Sequence, residues 1–229
     1  KLCLIYLLHW EGKYKIHFVS GGIEIYYVVS YGWFAETNRK FPVTIDPTFI
    51  IGTATLNLAG LWDGYYVDTR KQNIYLASDF TGGGMVNGDI ITALAIYCSS
   101  YGCGPALQTG LKIRMQNTAS GTFGTTNFTN AGYTNNYSGS QTINGAAWYN
   151  QVFSTNYTFN SAQNIIVDYA MDMTFFNCGA SHNYFYGWST GVNRSITSNN
   201  LGDIGDPQTL VSGGFSVNLP YTQVTYSLG

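Results

Sequence analysis

The chain has 229 residues, of which 16% are aromatic and only 10% charged, and its formal net charge is −2. That length buries one substantial core, while so little charge, against a usual ~25%, argues against nucleic acid as a partner, because phosphate contacts need a basic patch. Nine of the ten Lys and Arg lie at or before Arg114, and no run of about 20 apolar residues is present to span a bilayer as a helix.

The chain opens KLCLIYLLHW, without Met, and the following residues alternate as in a strand. The short apolar run lacks a small-residue cleavage site, so the opening reads as an internal start, a fragment or matured piece of something longer. Leu2, Leu4, Tyr6 and Leu8 form an apolar strand segment suited to donation to the sheet edge of a neighbouring copy. YKIHFVS and IEIYYVV flank a Gly-Gly turn at 21 and 22 and predict a hairpin. In RKFPVTIDPT, Phe41, Val43 and Ile45 alternate with Thr44 and Asp46, Pro42 confines the strand to an edge or a start, and Asp46 before Pro47 suits a turn that ends it. Asp46 is therefore a joint residue with no acid or base companion nearby in sequence.

Beyond this joint, FIIGTATL, QNIYLAS, DIITALAIYC, LKIRMQN, TNNYSG, WYNQVFSTNYTF, QNIIVDYAMDM, NYFYGWS, TLVSGGFSVNL and TQVTYSL read as short strands bounded by Gly, Asn and Ser. TGGGM at 81–85 and the Asn/Thr/Ser-rich stretch 117–145 read as loops, and no helix of normal length with caps is evident. The pattern predicts an all-β protein, a jelly-roll-like antiparallel β-sandwich over 49–229 preceded by an N-terminal β-hairpin segment over 1–48.

Several of these phrases carry a resemblance. RKFPVTIDPT resembles the "yPVtIDPt" junction that closes a β-rich segment in large secreted bacterial proteins of the RHS-like class and in those with DNRLRE modules. The stretch from Gly52 to Tyr226, with RKQNIYLASDF, GDIITALAIYC, LKIRMQNT, WYNQVFSTNYTFNSAQNIIVDYAMD and LPYTQVTYS, is similar to a β-sandwich module of very large secreted or cell-surface proteins of Bacteroidetes-type bacteria, many exported by type IX secretion. The resemblance implies a fold and an extracellular or cell-surface setting, and it brings no catalytic residues. The four-cysteine arrangement and the Asn-rich insert depart from that pattern.

No reactive constellation emerges from the titratable residues. Asp168 and Asp172 share one face of a strand, about 13 Å apart at about 3.3 Å per residue, too far for a glycosidase pair, and read as polar residues on a wet face. His9, His17 and His182 have no G-x-S-x-G elbow to serve, and TGGGM lacks the Lys and helix of a phosphate cradle. Asp203 and Asp206 in GDIGD are too few for a calcium site and read as a polar turn. Cys98 and Cys103 are expected to form a disulfide closing the YCSSYGCG loop, with Cys3 and Cys178 bridged or free; the alternative is a zinc site from Cys98, Cys103, Cys178 and His182. Asn127, Asn136, Asn156 and Asn193 each begin a glycosylation sequon.

Two functions compete. The first is a non-enzymatic structural or adhesive module of a secreted or cell-surface protein, such as the repeating subunit of an extracellular filament, with self-association or a cell-surface or glycan ligand as its partnership and no cofactor or metal. The alternative is a carbohydrate-binding module. For that role Trp62, Tyr65 and Tyr66 in GLWDGYY are the best sugar-stacking candidates, whereas Trp148 and Trp188 read as core fillers inside strands.

Overall fold

The computed structural model describes residues 6–9, 12–19, 22–29, 47–62, 64–102, 106–175 and 181–229, with side chains from residue 47 onward. The chain divides into two units, Lys1–Thr44 and Ile45–Gly229. The division precedes the boundary at 48 expected from the sequence because the Pro47 carbonyl already accepts from the Tyr226 amide and the strand from Thr48 pairs with the C-terminal strand.

The first unit is a three-stranded antiparallel sheet of β1 (Tyr6–His9), β2 (Gly12–Val19) and β3 (Gly22–Val29), with β2 central. The expected hairpin is β2–β3, but the register pairs Val19 with Gly22, so Gly22 opens the second strand instead of sitting in the turn. Tyr6 and Leu8 of the candidate donor segment lie in β1, opposite Lys15 and Lys13 of β2. Leu2, Leu4 and the FPVTID strand fall outside the described residues.

The second unit is an antiparallel β-sandwich, as the alternating strands predict. One sheet contains β4 (Thr48–Ile51), β5 (Leu56–Leu58), β7 (Ile90–Tyr101), β10 (Ala147–Thr158), β12 (Asn183–Ser189), β15 (Asn218–Pro220) and β16 (Thr222–Ser227). The other runs β14 (Gly214–Ser216), β13 (Ser195–Asn200), β6 (Asp68–Tyr75), β11 (Asn164–Asp172), β8 (Ala106–Thr118) and β9 (Thr134–Ile143). A five-residue helix, α1 (Ala77–Thr81), follows β6. The predicted strand FIIGTATL is cut in two at Gly52, whose φ of +89° is the left-handed region that ends an extended run.

Between the sheets, every second side chain is apolar: Ile165, Val167, Tyr169 and Met171 of β11 meet Leu94, Ile96 and Cys98 of β7 and Val224 and Tyr226 of β16 in one core cluster. Trp62, from the loop before β6, joins that cluster and packs edge-on against Tyr169 with ring centroids 5.8 Å apart. Lys71 of β6 is in register with Tyr169 and Thr197 on its two neighbours and is buried, which pushes its ammonium pKa down to about 8.

The other face of the second sheet is not wet. Asp168, expected there as a solvated carboxylate, is fully buried beneath the segments 119–133 and 201–213. It accepts from Arg70 Nε at 3.2 Å and Nη2 at 3.0 Å, from Arg114 Nε at 2.7 Å and from Gln72 Nε2 at 3.3 Å. The same arginine ties down the covering loops, for Arg70 donates to the carbonyls of Thr129, Gln208 and Leu210 and lies 4.3 Å from the Phe128 ring centroid. Arg114 sits over the Tyr133 ring at 4.5 Å. The Asn/Thr-rich insert is thus an ordered cover clamped by a buried Arg–Asp–Arg cluster.

Candidate functional site

The two faces of the sandwich differ in chemistry. The strands β6, β8 and β11 carry Asp68, Arg70, Lys71, Lys112, Arg114, Asp168 and Asp172, whereas the seven strands of the other sheet contain no Asp, Glu, Lys, Arg or His at all. Its outward positions are uncharged: aromatic, amide and hydroxyl residues with a few aliphatic ones such as Ile50 and Val152. Register explains how they assemble. Trp148 of β10 lies opposite Tyr97 of β7, and Phe185 of β12 lies opposite Cys98, which brings the next residue, Tyr186, beside Tyr97 from the other flank. Tyr221, at the junction of β15 and β16, donates its backbone amide to the Tyr186 carbonyl and brings a fourth ring.

These rings touch one another. Tyr97 and Tyr186 stack at 5.4 Å with planes 14° apart, Trp148 meets Tyr97 edge-on at 5.3 Å, and Trp148 meets Tyr221 at 5.2 Å and 32°. All four are half-buried, so each ring is fixed by its neighbours and still open to solvent on one side. The band continues along β12 to Tyr184, which is 5.7 Å from His182, and on through His182 to Tyr65 at 4.2 Å.

Beside the rings, Ala93 and Ala95 of β7 share the outward face with Tyr97, and Ala95 is flanked in register by Asn150 and Gln223 while Ala93 is flanked by Val152 and Thr225. Both alanines are themselves buried, so the longer flanking side chains form the surface next to the ring cluster. Asn150 is exposed and Gln223 half-exposed, and neither amide is held by a hydrogen bond from another described residue; nearby, Ser99 Oγ donates to Asn57 Oδ1 at 2.7 Å.

The residues singled out from the sequence are distributed as follows. Trp62 is fully buried against Tyr169 and offers no face to a ligand, so this loop tryptophan is a core residue. Tyr65 and Tyr66 are half-buried and pack edge-on against each other at 5.1 Å and against His182. Trp148, expected as a core filler, faces outward, while Trp188 is half-buried against the core beneath the Arg194 guanidinium.

Cys98 carries a free thiol buried in the core, where desolvation pushes its pKa up to about 11. The Cys98–Cys103 disulfide expected from the sequence is therefore not formed at Cys98, whose side chain is turned into the core; Cys3, Cys103 and Cys178, and with them the alternative zinc set, fall outside the described residues. Among the described residues no group of three or more His, Cys, Asp or Glu is arranged to hold a metal. Asp203 accepts from the Gly205 amide, and Asp206 accepts from the Gln208 amide and pairs with Lys112 at 3.0 Å, so GDIGD is a turn. Asn127, Asn156 and Asn193 are exposed. Asn136 is not available for glycosylation in the folded chain: it is fully buried, and its amide donates to the Thr155 carbonyl at 2.8 Å across to β10.

The outward cluster was missed because its four rings come from positions 97, 148, 186 and 221 and meet only through pairing. The available signal was phase: Trp148, Tyr184 and Tyr186 are out of step with the buried Tyr149, Phe185 and Gln151 of their own strands. No protein-family model, curated protein or solved structure matches the chain.

Proposed function

We propose that this chain is a non-enzymatic structural or adhesive module of a secreted or cell-surface protein, acting through surface contact. The observation that supports it most is the use made of its charged side chains. Asp168, Arg70 and Arg114 are consumed in clamping loops, Asp79 pairs with Arg194, and Asp203 and Asp206 shape a turn, so these groups are spent on architecture. An acid, a base and a nucleophile need to converge within hydrogen-bond reach for general acid–base or covalent chemistry; where acids do gather, at the end of β6 and β11, Asp68 faces Asp172 in register but accepts from the Ile204 amide, and Asp172 and Asp206 are both paired with Lys112. The near-absence of repulsive charge over the uncharged sheet also favours close approach of another surface.

A carbohydrate-binding role is the second reading, and the outward aromatic band favours it. The test of the first is immunogold labelling and negative-stain imaging of cells that produce the protein. Label on the cell surface or on extracellular assemblies is expected. Label confined to the cytoplasm, or a catalytic activity abolished by one Asp substitution, would sink the proposal.

A further inference from the structure

The geometry points to a binding site for an uncharged polysaccharide on the outer face of the charge-free sheet, with Tyr97, Trp148, Tyr186 and Tyr221 as the stacking surface and Asn150 and Gln223 as hydrogen-bonding flanks. This inference rests on the reading of the chain as a non-enzymatic adhesive module and names what that module grips.

Three features select the ligand. Aromatic faces take the apolar C–H face of a pyranose ring, and here they are held rigid by mutual packing, so little side-chain freedom is lost on binding. The amides beside them, Asn150 and Gln223, have donors and acceptors that no other described residue engages, and they flank Ala95 on its two sides. Hydroxyl-rich ligands can satisfy such groups, whereas an aliphatic partner surface would bury them unpaired. Finally, the seven strands have no cation for a uronate or sulfate and no anion for an amino sugar, which leaves a neutral chain.

Affinity electrophoresis of the 229-residue chain in native gels containing hydroxyethylcellulose, xyloglucan, galactomannan or soluble starch tests the assignment. Retardation by at least one neutral polymer, weakened about tenfold by Trp148→Ala, is the expected result. Asn150→Asp, which keeps every ring and introduces a charge at an exposed position, weakens it too and carries the test if Trp148→Ala melts early. Ile204→Ala, on the loop over the opposite sheet, leaves retardation unchanged. Retardation by none of these polymers, retardation by polygalacturonate alone, or full retention of binding by Asn150→Asp overturns the inference. A dimer in sedimentation that depends on Trp148, without polymer binding, also overturns it, because the face is then a protein interface, and the adhesive reading survives. New reducing ends released from a bound polymer would instead overturn the non-enzymatic reading while leaving the site in place.

Discussion

Replacing Asp168 by Asn probes the clamp that holds the outer loops. The carboxylate is fully buried and accepts four hydrogen bonds, two of them from an Arg70 guanidinium that is itself fully buried. Asparagine keeps the shape but loses the anion, and its NH2 group faces donors from Arg114 or Gln72 where an acceptor is required. Arg70 then remains as an uncompensated buried cation, a situation that costs about 3–5 kcal/mol when one partner of a buried pair is removed. For a unit of this size a loss of that order lowers the melting temperature by about 6–20 °C, at about 2–4 °C per kcal/mol. The damage concentrates in the segments that Arg70 and Gln72 hold, so amide exchange should accelerate at Thr129, whose N–H donates to Gln72 Oε1 at 3.0 Å, before it does in the core strands. Differential scanning calorimetry and site-resolved hydrogen exchange read both effects. A variant within about 1 kcal/mol of the parent, with Thr129 exchange unchanged, would refute the view that the ion cluster holds the cover in place.

Four further outcomes follow from individual buried or conformationally constrained residues. Burial lowers the Lys71 pKa to about 8 from 10.5, so the unfolded chain binds more protons between those values and stability rises as pH increases through that window; Lys71→Met should abolish this rise and stabilise the protein at pH 7, measured by urea midpoints at pH 7 and 9.5. Above pH 10 the sign reverses, because buried Tyr75 and Tyr157 have pKa values pushed up to about 12 and the unfolded chain ionises first; a stability that keeps rising to pH 11.5 would contradict their burial. Gly52→Ala should cost more than about 2 kcal/mol by thermal melting, since φ is +89° there and a Cβ would collide with the Trp188 indole. Cys98 should resist iodoacetamide at pH 8 in the folded chain and react on denaturation without reductant; absence of label in the denatured, unreduced chain would place Cys98 in a disulfide.

The all-β sandwich was legible because strand alternation records burial directly: Ile165, Val167, Tyr169 and Met171 are the core face that period-two spacing assigns them. What period two does not record is the cover. Asp168 alternates as a surface residue should, yet segments 119–133 and 201–213 fold over that face, and nothing near Asp168 in sequence announces them. The strand Ser195–Asn200 escaped notice because SITSNN has too few apolar residues to alternate, and it forms as an extension of β6 beside Arg70 and Gln72. For the site, the residue types were visible but their partners were not. Trp62 looked solvent-facing because it sits in the loop-like stretch GLWDGYY, and Trp148 looked internal because it opens a strong strand, and tertiary packing reversed both.

The placement of the last basic residue has a consequence for survival outside a cell. Beyond Arg114 a trypsin-like protease finds only Arg194, and that side chain is folded away, donating to the Ile74 carbonyl and paired with Asp79, on a segment whose backbone is bonded to β6. While the sandwich stays folded, the distal half of the molecule therefore offers such an enzyme no exposed side chain to recognise, and resistance to digestion comes from sequence scarcity and burial acting together.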